Sequence, residues 1–165
     1  RRGMSFSLVE NEILVACMFL PVLLATALTD LRYMKIPNYL SFVGIGLFLL
    51  TVPFLGLETA LIRSAVGAVA FLMCFGLFAI GWLGGGDAKI LPVTLLFVPI
   101  SILPVYMMSF ALCMLVGMIC IWGVRQRYAH ENAIWVSMKP NALFPMGISI
   151  AASLPLSLYI SNLLG

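Results

Sequence analysis

Long apolar runs, broken by loops of only a few residues except for the longer Arg125 to Asn141 loop, constrain this chain more than any other feature. About Ile13 to Thr29, Tyr39 to Leu57, Ala60 to Trp82 and Leu143 to Leu163 are runs of this kind. Each approaches the roughly 20 residues a helix needs to cross the hydrocarbon core. Hydrophobic residues make up 63% of the chain and charged residues 9%, which excludes a water-soluble domain. The runs are continuous, whereas a membrane barrel would show short segments of alternating polarity. The expected fold is all-α: an integral membrane protein of about six spans, forming a single membrane-embedded domain over residues 1–165.

The stretch from Ile90 to Val124 carries Pro92, Pro99 and Pro104 and is too long for one ordinary span. Two helices with a turn near Pro99 to Pro104 are expected. The first of them, from Asp87 to about Ser101, would rise only about 22 Å against a core of about 30 Å, which would leave Asp87 below the membrane surface. Pro37 and Asn38 open the second span, with Asn38 as its expected cap. Gly81 and the Gly84 to Gly86 run close the third.

Basic residues set the orientation. The loops after spans one, three and five hold Arg32, Lys35, Lys89, Arg125, Arg127 and Lys139, while the opposite face holds Arg63, with Arg1 and Arg2. The positive-inside rule then puts the first group in the cytoplasm and both termini outside. Arg1, Arg2 and Gly3 precede the first methionine, Met4; a natural start there is expected, and the three residues carry no functional weight. Cys17, Cys74, Cys113 and Cys120 are scattered through apolar runs without a Cys-x-x-Cys pair, and are read as small core residues.

The chain has only two aspartates, Asp30 and Asp87, each where an apolar run meets a polar loop. With two spans between them, both return to one membrane face. Two carboxylates close enough to share a proton can divide the work of peptide hydrolysis: the ionised one takes a proton from water, and the protonated one hydrogen-bonds the oxyanion. A plain interfacial charge is the simpler account of Asp30, but the helix dipole disfavours an anion near a helix C-terminus. An N-cap would account for Asp87. Gly84, Gly85 and Gly86 permit unusual backbone geometry and let an extended substrate approach Asp87.

Other polar residues have simpler readings. Lys89 could act on an aspartate but reads as a topology anchor, and Arg32, Lys35, Arg125, Arg127 and Lys139 read as lipid-facing anchors. Glu131 reads as a surface charge. His130 has no neighbouring ligand at metal-binding spacing, so no metal or other cofactor is expected. A small transporter that uses Asp30 and Asp87 as ion or proton sites is the alternative from another class, and a scaffold without chemistry is a third.

The combination of Asp30-Leu31-Arg32 leading to Lys35-Ile36-Pro37-Asn38, Gly84-Gly85-Gly86-Asp87-Ala88-Lys89, and Pro145-Met146-Gly147 after Phe144 resembles the prepilin peptidases. These are the type IV leader peptidase family of membrane aspartyl proteases with a Gly-x-Gly-Asp motif, and the resemblance spans nearly the whole chain. It implies that Asp30 and Asp87 are the catalytic pair. It also implies that Gly84, Gly85, Gly86, Lys89, Pro37, Asn38, Pro145 and Gly147 are motif residues around the substrate's approach. The implied partners are the lipid bilayer and prepilin and pseudopilin substrates, cut on the cytoplasmic side of a bacterial inner membrane; no nucleic acid is implied. Larger members carry a cytoplasmic segment with paired Cys-x-x-Cys motifs and a methyltransferase activity. The short loop after the first span here is similar to the peptidase-only members of tight-adherence (Flp) pilus systems.

Overall fold

The computed structural model describes residues 2–128, 135–139 and 143–164, with side chains from residue 11 onward except that of residue 128. Its helices are α1 (Arg2–Tyr33), α2 (Asn38–Leu55), α3 (Leu57–Ala79), α4 (Asp87–Leu96), α5 (Leu103–Tyr128) and α6 (Met146–Leu164), with short 3-10 turns at Ile100–Ile102 and Val136–Met138. No strand occurs among the described residues, as expected for an all-α chain. Among them, 5 helices are long and apolar enough to cross a membrane. Helix α4 is the exception.

Ten residues of α4 rise about 15 Å, half the hydrocarbon thickness. The expected helix to Ser101 stops at Leu96 because the amides of Phe97 and Val98 tighten onto Thr94 and Leu95 at 3.0 and 3.2 Å. Pro99 follows, with no amide to continue the ladder. The chain then re-enters helix at Leu103, so the expected division of residues 90–124 into two helices holds with a shorter first member.

This half-helix is the centre of the bundle. Helix α3 packs chiefly on α4, α5 on α6, α6 on α1, and α1 on α2, which also meets α4. The Phe19 and Phe97 rings stack with centroids 4.1 Å apart, and Phe48 meets Phe97 edge-on at 5.9 Å. Small residues let the backbones close up. A Cβ on Gly44 would fall 2.5 Å from Val93 Cγ1, and one on Gly67 would fall 2.6 Å from Leu96 Cδ2. Such contacts hold membrane helices together where lipid removes the hydrophobic drive between them. Phe42, Leu72, Leu115 and Trp122 point outward and are exposed, the surface a bilayer requires.

Three expectations need correction. Asn38 does not cap α2: Pro37 holds the cap position and no side-chain cap bond forms. Cys17 and Cys120 are exposed, while Cys74 alone is buried; all four are free thiols. Arg63 is no interfacial charge. It is wholly buried, and its Nη2 donates to Glu12 Oε1 at 2.7 Å. His130, Glu131, Pro140 and Asn141 lie outside the described residues.

Candidate active site

Asp30 lies in the last turn of α1, and only 6% of its surface is exposed. Its Oδ2 accepts a hydrogen bond of 2.7 Å from the backbone amide of Gly147 in the first turn of α6. The carboxylate therefore faces the positive end of α6, which compensates the unfavourable end of its own helix. Thr26 and Thr29 bond back to carbonyls of α1 and make no claim on it. Helix α1 closes on Met34, whose amide donates to the Asp30 carbonyl at 2.8 Å and whose φ is 52°. A left-handed turn without glycine costs energy, and it sends the chain sharply into Lys35 to Pro37.

The other carboxylate arrives from α3. That helix ends in a Schellman turn at Gly81, with φ 78°, in which Trp82 donates to the Leu77 carbonyl at 2.9 Å and Gly81 to Phe78 at 3.0 Å. Gly84, Gly85 and Gly86 follow. None of the three has a positive φ, so unusual backbone geometry is not their purpose. Space is. A Cβ on Gly84 would stand 2.7 Å from Asp87 Oδ2, one on Gly85 3.1 Å from the Phe78 ring, and one on Gly86 2.9 Å from Ile36 Cβ. The run lets the Asp87 carboxyl fold back over Gly84 and lets the turn press against Ile36.

Asp87 opens α4 without capping it: Gly86 is the cap residue, and no side-chain cap bond forms. The N-cap account of Asp87 therefore fails. Its Oδ1 is buried and has no hydrogen-bond partner among the described residues. Burial first, and then the charge of Asp30, push its carboxyl up from 3.8 to about 7, against a smaller opposing pull from its own backbone N–H.

Both carboxyl groups line one open cleft of about 530 Å³, walled by Met34, Lys35 to Asn38 and Gly84 to Gly86. The structure thus brings together Asp30, Asp87, the three glycines, Pro37 and Asn38. Lys89 reaches elsewhere, donating from Nζ to Asn38 Oδ1 at 2.9 Å and tying α4 to α2. Pro145 is buried ahead of α6, and Gly147 serves Asp30. A Cβ there would meet Asp30 Cβ at 2.8 Å, so only glycine brings the amide so near the carboxylate. Arg125 is not confined to a lipid-facing role. Its Nε donates to the Ser137 carbonyl at 2.8 Å and its Nη2 to the Leu143 carbonyl at 2.6 Å, holding the segment that leads into α6. Sequence spacing alone gave no signal for that contact.

A multi-pass helical membrane protein that presents two carboxyl groups, one buried and one half-buried, in one cleft at its helix ends is the class that fold and site define. The model of the type IV leader peptidase family matches residues 17–122, and the chain belongs to that family. The matched region contains Asp30, Asp87 and Lys89; α6, with Gly147, lies beyond it. No curated protein and no solved structure matches the chain.

Proposed function

We propose that this chain is an aspartyl endopeptidase that removes the short basic leader from prepilins and pseudopilins, with Asp30 and Asp87 as its catalytic pair. The observation that carries the reading is the shared cleft, which two carboxyl groups from separate segments line together, Asp30 almost wholly buried and Asp87 partly so. Like charges so placed favour a singly protonated pair.

The surroundings support a division of roles. Asp30 has the Gly147 amide and the N-terminus of α6 to stabilise its anion. Asp87 has an unpartnered oxygen and a raised pKa, the environment of a proton holder. In this mechanism Asp30 takes a proton from water as the water oxygen attacks the scissile carbonyl carbon. Asp87 hydrogen-bonds the developing oxyanion, and a proton passes to the leaving nitrogen as the C–N bond breaks.

The positive-inside asymmetry supports a cytoplasmic cleft with both termini outside. Burial of Arg63 against Glu12 agrees with it, since that charge is paired inside the bundle. The proposed setting is a bacterial inner membrane. The short α1–α2 connection supports a peptidase-only form of Flp type, with no methyltransferase activity. Ion transport has no observation in its favour, and the family is one of peptidases.

Co-reconstitution of the chain with an Flp-type prepilin tests the reading. The expected product is the mature pilin with a single new N-terminus after its basic leader, read by mass spectrometry. Intact prepilin after prolonged incubation with folded protein would overturn the proposal.

A further inference from the structure

The cleft continues sideways into the membrane. Beside it lies a groove of about 280 Å³ between α2, α3 and α4, lined by Ser41, Phe42, Ile45, Phe71 and Val93. Asn38 lines both spaces, and its bond to Lys89 marks the passage from one to the other. Asn38, Ser41, Phe42 and Ile45 follow one another at helical spacing down a single face of α2. Helix α3 packs on α4 and touches α2 only slightly, so α2 and α3 part on this side. The opposite flank is closed, because the first turn of α6 sits on Asp30.

A second apolar groove, of about 480 Å³ between α5 and α6, holds a buried unpartnered hydroxyl at Ser109 as this one does at Ser41, but it shares no lining residue with the cleft. Ser41 is only 8% exposed, and its buried hydroxyl has no hydrogen-bond partner among the described residues. Around it the exposed faces of Phe42, Ile45 and Phe71 are wholly apolar.

We infer that the groove between α2, α3 and α4 is the docking site for the apolar helix of the substrate, seated in the bilayer so that the leader ahead of it crosses the cleft between Asp30 and Asp87. This rests on the leader-peptidase reading. The family resemblance implies a substrate whose short basic leader stands directly ahead of an apolar membrane helix. That helix must lie against the bundle where the cleft opens to lipid, and continuity through Asn38 selects this side.

The test uses the full chain in proteoliposomes. Ile45 is exposed, so Ile45→Trp fills the groove without entering the core. It is expected to raise KM for the full-length membrane substrate by about tenfold or more and to leave cleavage of a soluble peptide ending before the apolar helix unchanged. Leu112→Trp, on the exposed face of α5, is expected to alter neither. A benzophenone side chain installed at Ile45 should crosslink to the substrate's apolar helix, and one at Leu112 should not. Equal cleavage of both substrates by Ile45→Trp and wild type would overturn the docking while leaving the peptidase intact. Crosslinks from Ile45 to lipid or to a second copy alone would overturn it as well. If the wild type cuts neither substrate, the underlying reading fails, and the docking with it.

Discussion

Replacing Gly147 by alanine strikes the contact on which the geometry of Asp30 depends. The added Cβ would stand 2.8 Å from Asp30 Cβ, 2.9 Å from Oδ2 and 3.2 Å from Cγ. Carbon atoms rest about 3.5–4.0 Å apart, so the first contact alone demands a separation of about 0.7 Å. Asp30 Cβ is bonded to the α1 backbone and cannot rotate away. Either α1 and α6 part, or the carboxylate leaves the Gly147 amide now 2.7 Å from it. Loss of a charge-assisted hydrogen bond costs about 1.5–3 kcal/mol. Displacing a reacting group by about 1 Å costs about 10²-fold in rate. Gly147→Ala is therefore expected to lower kcat for leader cleavage by about 10²-fold. It should still fold, because alanine favours helix over glycine by about 1 kcal/mol and partly offsets the clash. Gly76→Ala is the control: its Cβ would meet nothing within 4 Å, so activity should persist. Initial rates in proteoliposomes and thermal unfolding in detergent read the two effects. A wild-type kcat in Gly147→Ala would refute the claim that α6 holds Asp30 in position.

Further expectations concern protons, loops and the buried ion pair. Because Asp87 is raised to about 7, cleavage should fall as pH rises through that value and the pair loses its shared proton; a flat profile would count against Asp87 as the acid. The same shift has a consequence for stability. A carboxyl raised in the folded state makes its best contribution below its unfolded value of 3.8 and loses it as pH rises through about 7. Asp87→Asn should therefore melt above wild type at about pH 8 and level with it at about pH 4. Arg125→Ala, which frees the Ser137 and Leu143 carbonyls, should slow cleavage severalfold and lower the melting temperature, with only partial recovery in Arg125→Lys, which lacks the fork. Glu12→Gln leaves a wholly buried guanidinium without its counter-charge. It should cost about 3 kcal/mol, most of it recovered when Arg63→Met is added.

Much of this arrangement is legible in the residues. Apolar runs of spanning length dictate a helical membrane bundle, and Asp30 and Asp87 at the edges of such runs announce the site. Gly81 marks the end of α3 through ordinary helix-stop chemistry, and Pro99 marks the turn after α4. Less visible is what depends on tertiary neighbours. Asn38 has the identity and position of a helix cap, yet its side chain is used by Lys89 from another helix. Arg125 has the position of a membrane anchor, yet its guanidinium reaches carbonyls ahead of α6. Gly84 to Gly86 suggest backbone freedom, whereas their environment demands room for Asp87, Phe78 and Ile36. Met34 gives no local sign of its left-handed turn. A residue type states which bonds it can make, and the fold decides which partners come within reach.

Cleavage of a co-reconstituted Flp-type prepilin by Asp30→Asn and Asp87→Asn, each beside wild type and each checked for folding, tests the central claim most directly. The account expects release of the leader by wild type and none by either variant. A folded variant that still cuts at a comparable rate would contradict the assignment of that aspartate to the catalytic pair.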